Sequence, residues 1–132
     1  MCRLVATLFL LVAATVSAFA QSLPNSYWKN QRGDEMKIYS MAADGSFKGV
    51  YIPHGTGWRC QNMPYDLWGR AVGNHVRFWV VFKTWTTDCK SAVVWRGHVV
   101  GTTIWTRGLL TVHNDNGTVS RITGTDVFQQ QP

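Results

Sequence analysis

The sequence predicts an all-β fold, and three observations predict it. Almost every segment after residue 25 contains a short run rich in Val, Ile, Thr, Tyr, Phe and Trp, which are the residue types enriched in strands. Gly, Asn and Asp separate these runs, as expected for turns. No segment of useful length shows the apolar period of an amphipathic helix.

The runs predict eight strands in chain order. The first four are expected near 26–31, 35–41, 46–52 and 65–72, and the last four near 75–83, 91–99, 102–112 and 118–129. The turn signals between them are Arg32-Gly33, Asp44-Gly45, Gly73-Asn74, Gly101 and Asn116-Gly117. The triplet Asn116-Gly117-Thr118 also fits a glycosylation acceptor, but Asn-Gly is a strong hairpin signal and we favour the turn.

Eight strands joined by short hairpins suit an antiparallel up-and-down β-barrel. Closing the sheet removes the free edges that would otherwise template aggregation. A barrel of eight strands is just wide enough to hold one small ligand. On the pattern alone, a sandwich of two sheets is the alternative.

Residues 1–20 are expected to form a secretory signal peptide. Arg3 precedes an apolar run over 4–16, and Ala18-Phe19-Ala20 supplies small residues for cleavage. The run is shorter than a membrane-spanning helix requires. Residues 21–132 would then form one domain, secreted to the periplasm or the extracellular space, with no membrane partner.

Cys60 and Cys89 are the two cysteines outside the signal segment. An even number in an oxidising compartment predicts a disulfide. Two buried free thiols are the alternative, and a metal site is disfavoured because neither cysteine has zinc-ligand spacing to another Cys or His. The formal net charge is +6, but Lys and Arg are scattered without a run, so no nucleic-acid partner is expected.

Five motifs together resemble the avidin and streptavidin family. They run in the family's order and at nearly its spacing over residues 27–128: 28-WKNQRG-33, 45-GSFKGVY-51, 64-PYDLWGR-70, 89-CKSAVVWRG-97 and 124-GTDVF-128. The resemblance is strongest to dimeric members with an internal disulfide. It implies a barrel that holds biotin in its lumen and needs no cofactor.

The resemblance also implies which residues contact the ligand. Asn30 and Tyr51 would donate to the ureido oxygen of biotin. Asp126 would accept from a ureido N–H and orient the asparagine. Ser91 would lie near the tail of the ligand, and Trp95 would form an indole wall.

Other positions depart from the family pattern. Asp34 replaces a serine hydroxyl that donates to the ureido oxygen, so Asp34 is protonated, turns toward Arg32 or Lys37, or meets a different ligand. The remaining departures are a lost polar residue, a lost threonine hydroxyl and two lost indole walls, at Pro53, Val93, Phe82 and Gly108. We therefore expect weakened biotin binding, or another ligand in the same lumen.

Two further expectations concern the outside of the barrel and catalysis. Trp79 and Trp105 should face outward and mark an interface, and the absence of Trp from 111–123 favours a homodimer. An enzyme is the weakest hypothesis. Asp34 and Asp126 could converge in the lumen, but no third catalytic group and no metal ligands accompany them.

Overall fold

The computed structural model describes residues 23–56 and 58–132, so the expected signal peptide lies outside the described residues. Eight strands form a closed barrel in which each strand pairs with its neighbours in chain order and the last pairs with the first. The strands are β1 (Ser26–Lys29), β2 (Glu35–Met41), β3 (Ser46–Ile52), β4 (Tyr65–Val72), β5 (His75–Lys83), β6 (Asp88–Val100), β7 (Thr103–His113) and β8 (Val119–Gln131). The predicted all-β, antiparallel up-and-down barrel is confirmed.

The strand boundaries follow the predicted ones closely; β7 is shifted by one residue, to Thr103–His113, and three other strands differ. β1 ends at Lys29, two residues early, because the backbone of Asn30 turns to bond with Asp34. β6 and β8 are longer than expected because neighbouring strands continue to pair with them, Asp88 with Lys83 and the end of β8 with β1. Each predicted turn holds a glycine at positive φ, at positions 33, 45, 73, 101 and 117.

The inward side chains divide the lumen into a filled end and an open end. Trp28, Phe78 and Phe128 are fully buried and fill one end. Phe78 stacks on Trp95 with ring centroids 5.0 Å apart, and packs edge-on against Phe128 at 5.6 Å. This aromatic floor stabilises the barrel and leaves the cavity above it.

The predicted disulfide between Cys60 and Cys89 is present and closes the connection between β3 and β4 against β6. The hydroxyl of Tyr65 donates to the carbonyl oxygen of Cys60 at 3.0 Å. The described residues of the connecting segment, 53–56 and 58–64, are thereby held at the open end of the barrel. Within the described part of the chain, no helix is long and apolar enough to span a membrane.

The outer face of β4 to β7 carries both indoles and arginines. Trp79 lies between the buried Phe78 and Val80, and Trp105 is 48% exposed, so both face outward as predicted. Strand register also aligns four exposed arginines directly opposite one another across these strands, which we term the arginine row: Arg70, Arg77, Arg96 and Arg107.

Candidate functional site

The open end of the lumen is a cavity of about 610 Å³. This volume lies within the usual range for a small-molecule site. The β1–β2 turn, Tyr51 of β3 and Asp126 in the second half of β8 supply its polar end, and aromatic and aliphatic side chains form its walls. Of the residues expected to bind a ligand, six line the cavity: Asp34, Tyr51, Phe82, Val93, Trp95 and Asp126.

Asp34 is the centre of a buried hydrogen-bond network at the polar end. Its Oδ2 accepts the hydroxyl of Tyr51 at 2.6 Å and the amide of Asn30 at 3.2 Å. Its Oδ1 accepts the backbone N–H of His54 at 2.7 Å. The two donors expected for a ureido oxygen are therefore directed at Asp34.

The same network keeps Asp34 ionised. Burial alone would raise its pKa, but the hydrogen bonds from Tyr51, His54 and Asn30, with the nearby Arg32 guanidinium, outweigh burial and lower the pKa. Of the alternatives expected for Asp34, these contacts favour the ionised carboxylate over the protonated one. Burial and the charge of Asp34 raise the pKa of Tyr51, which keeps its hydroxyl proton.

Arg32 joins the two acidic groups of the cavity. Its Nη1 lies 2.8 Å from Asp126 Oδ1, and its Nε lies 3.5 Å from Asp34 Oδ2. Burial would lower the pKa of Arg32, but the hydrogen bond and charge of Asp126 raise it. Turning toward Arg32 was one of the outcomes expected for Asp34, whereas a position of Arg32 in the cavity wall was not predicted.

Asp126 is held by donors other than Asn30. The indole Nε1 of Trp95 donates to its Oδ2 at 2.7 Å, and the amide of Gln31 donates to its Oδ1 at 3.0 Å. The expectation that Asp126 orients Asn30 is wrong. Backbone N–H groups of the β1–β2 turn fix Asn30 instead, because its Oδ1 accepts from Arg32 and Asp34 at 3.0 Å each.

Two expected ligand contacts do not line the cavity. Asn30 is buried behind Asp34 and Tyr51. Ser91 lies on the inward face of β6 two residues before Val93, and its buried Oγ has no hydrogen-bond partner among the described residues. The structure thus brings Tyr51, Asp34, Trp95 and Asp126 together directly, with Asn30 supporting them from behind.

Trp58 is an aromatic wall that sequence reasoning missed. It lies in the segment between β3 and β4 and packs edge-on against Phe82, with centroids 4.9 Å apart. Phe82 also meets Tyr65 at 5.1 Å. The disulfide anchors the segment that carries Trp58, so the short sequence distance between Trp58 and Cys60 was the available signal.

The small size of Gly108 suggested an opening in the cavity wall, but the indole of Trp95 partly fills this space. A Cβ at this position would stand 3.1 Å from Cδ1 and 3.2 Å from Nε1 of Trp95. The indole of Trp95 therefore lies against Gly108 and covers much of the space that a larger residue would need. Pro53, Gly108 and Leu110 also line the cavity.

No three His, Cys, Asp or Glu side chains among residues 23–56 and 58–132 come together as a metal site. The polar groups of the cavity are instead paired with one another by hydrogen bonds and charge.

Comparison with known proteins agrees with this geometry. The model of the avidin family matches residues 19–131. Afifavidin from Afifella pfennigii is 34% identical over 83 residues, which cover 63% of this chain and about half, 52%, of that relative. The barrel of the rhizavidin–biotin complex superposes with a TM-score of 0.74 at 34% identity, covering 82% of this chain and 92% of that one. The complex of short afifavidin with biotin gives a TM-score of 0.75 at 28% identity, covering 87% and 95%. Because the family match spans the whole barrel and these relatives share its fold, the chain belongs to the avidin family.

Proposed function

We propose that the protein binds one small ligand, biotin or a close chemical relative, in the lumen of the barrel. The observation that carries this proposal is the cavity itself, with a polar end at Tyr51, Asp34 and Asp126 and aromatic walls at Phe82 and Trp95. Complexes of related barrels with biotin support it. Ser91 stays a proposed contact near the tail of the ligand because it lies on the inward face of β6 and its buried Oγ has no partner among the described residues, although it does not line the cavity.

We propose further that biotin binds weakly by the standard of the family. Asn30 and Tyr51 donate to Asp34 rather than to a free space, Val93 offers no hydroxyl, and Gly108 offers no indole. Biotin–streptavidin reaches roughly −18 kcal/mol, and these losses amount to roughly 6 to 12 kcal/mol, which leaves a Kd in the nanomolar to micromolar range.

Titration of the purified, oxidised protein with biotin tests this proposal. We expect saturable binding with one site per chain, observed by calorimetry and by quenching of tryptophan fluorescence. Trp95→Phe should lose binding affinity and most of the quenching. Trp85→Phe is the matched control, because its indole is 98% exposed, does not line the cavity and lies outside the proposed dimer face, so it should leave the affinity unchanged. Picomolar binding, or none at millimolar biotin, contradicts the proposal.

We infer binding rather than catalysis at this site. A general acid requires a carboxyl with a raised pKa, whereas the pKa of Asp34 is lowered and both acids are tied to Arg32. A panel of chromogenic glycosides and esters should show no turnover. Turnover that Asp126→Asn abolishes would contradict this inference.

We propose secretion followed by oxidation of the cysteines. The disulfide between Cys60 and Cys89 supports an oxidising compartment. Mass spectrometry of the protein exported by its own leader should give a mature chain that begins at Gln21. A chain that retains residues 1–20 in the cytoplasm would contradict this localisation.

We propose that the protein forms a homodimer through the outer face of β4 to β7. The exposed indoles of Trp68 and Trp105 support an interface there. A two-fold contact on this face would also bring the arginine rows of two copies together, so the dimer should tighten as salt screens them. Sedimentation at low and high salt measures this effect. A monomer at micromolar concentration in both buffers contradicts the proposal.

A further inference from the structure

The polar end of the cavity presents acceptors where a neutral urea would need donors. A ureido group has one carbonyl oxygen, which requires N–H or O–H groups. The hydroxyl proton of Tyr51 is donated to Asp34, and the amide of Asn30 points to Asp34 and to the Tyr51 oxygen. An incoming carbonyl oxygen would therefore meet the carboxylate of Asp34 and lone pairs of Tyr51.

Arg32 shows which chemical group fits this end. Its guanidinium is planar and carries only donors, and it bridges Asp126 at 2.8 Å and Asp34 at 3.5 Å. A guanidinium has nearly the shape of a urea, with an NH₂⁺ group in place of the carbonyl oxygen. The side chain of Arg32 is 51% exposed, so it can swing into solvent and leave both carboxylates to a ligand.

We propose that the polar end of the lumen selects a planar cation, a guanidinium or amidinium, over a neutral ureido group, and that Arg32 occupies this place until such a ligand displaces it. The inference rests on the proposed function of the lumen as a small-ligand site. A bound cation would donate one N–H to Asp34 and another to Asp126, and Arg32 would move outward. No bond is made or broken.

The test compares biotin with its cyclic guanidine analogue, in which C=NH₂⁺ replaces the ureido carbonyl and which is protonated at neutral pH, as an arginine side chain is. We expect the wild type to bind the guanidine analogue about 10- to 100-fold more tightly than biotin, the range for a charge-assisted hydrogen bond. Asp34→Asn, which keeps the size of the side chain, should remove or reverse this preference. Asp34→Ser provides a second variant if the asparagine form folds poorly.

Two further variants separate this effect from general electrostatics. Asp66→Asn removes the same charge from an exposed position on the outside of β4 and should leave the ratio of the two Kd values unchanged. Arg32→Gln removes the side chain that competes for Asp34 and Asp126. The guanidine analogue should then bind about tenfold more tightly, because both carboxylates are available to its positive charge.

Each outcome distinguishes this inference from the proposed function. Binding of the guanidine analogue without biotin supports the inference and overturns biotin as the ligand. If the wild type binds biotin more tightly than the guanidine analogue, and Arg32→Gln loses this preference, the inference is overturned. That result would show that Arg32 itself donates to the ureido oxygen. Binding of neither compound, in the wild type or in Asp34→Asn, overturns both.

Discussion

Reducing the disulfide should destabilise the barrel by an amount that depends on the length of the loop it closes. Cys60 and Cys89 are 29 residues apart in sequence. In the chain-entropy model, cross-linking a loop of this length lowers the entropy of the unfolded chain enough to stabilise the fold by about 3.6 kcal/mol at room temperature. For a domain of this size, that loss corresponds to a fall in Tm of roughly 15 °C.

Urea denaturation followed by tryptophan fluorescence measures this free energy of unfolding. The oxidised wild type is compared with the same protein in reductant, so that no side chain changes. A Cys60→Ala/Cys89→Ala variant, measured with and without reductant, controls for effects of the reductant and should not respond to it. The segment that carries Trp58 should also loosen, so biotin should bind the reduced wild type more weakly. A difference below about 1 kcal/mol between oxidised and reduced wild type would refute the entropic argument.

Two other predictions concern pH and the barrel wall. Hydrogen bonds and charge from Glu35 raise the pKa of His54 above 6.5, so its contribution to stability is full below pH 6.5 and is lost as the pH rises through the folded value. Hydrogen bonds from Tyr27 and His54 lower the pKa of Glu35 below 4.5, so its contribution is full above pH 4.5 and is lost as the pH falls through the folded value. Tm should therefore be highest between about pH 4.5 and pH 6.5, where the His54–Glu35 ion pair is fully formed. His54→Gln should flatten the fall in Tm at higher pH. An unchanged profile of Tm against pH would contradict the ion pair. Gly97→Ala should lower the free energy of unfolding by more than about 2 kcal/mol, because the new Cβ meets the carbonyl oxygen of Trp105 on the paired strand. A Cβ at position 124 meets nothing within 4 Å, so Gly124→Ala should change the free energy of unfolding by less than about 0.5 kcal/mol. Equal losses of this free energy in the two variants, measured by urea denaturation, would contradict the explanation.

The fold could be predicted from the sequence because its signals are local. Apolar alternation and glycine-containing turns placed all eight strands to within a few residues, as at β3, and the same alternation placed Trp79 and Trp105 outside. The two cysteines outside the expected signal segment were sufficient to predict the disulfide, because each then has one possible partner.

The candidate site was harder to predict because it depends on contacts between distant residues. The sequence shows Asp34 in an unusual place, but only the folded barrel brings it the Tyr51 hydroxyl and the backbone N–H of His54, which lower its pKa. The arginine row has the same origin. Its members are scattered along the chain, and only the strand register aligns them.

The contact between Gly108 and Trp95 constrains which side chains position 108 can carry. Restoring an indole at position 108 places its Cβ against a ring that is already stacked on Phe78 and bonded to Asp126. Any side chain added at position 108 would press on Trp95 and, through its indole N–H, on Asp126 at the polar end. Engineering of this wall must therefore change position 108 and the placement of Trp95 together.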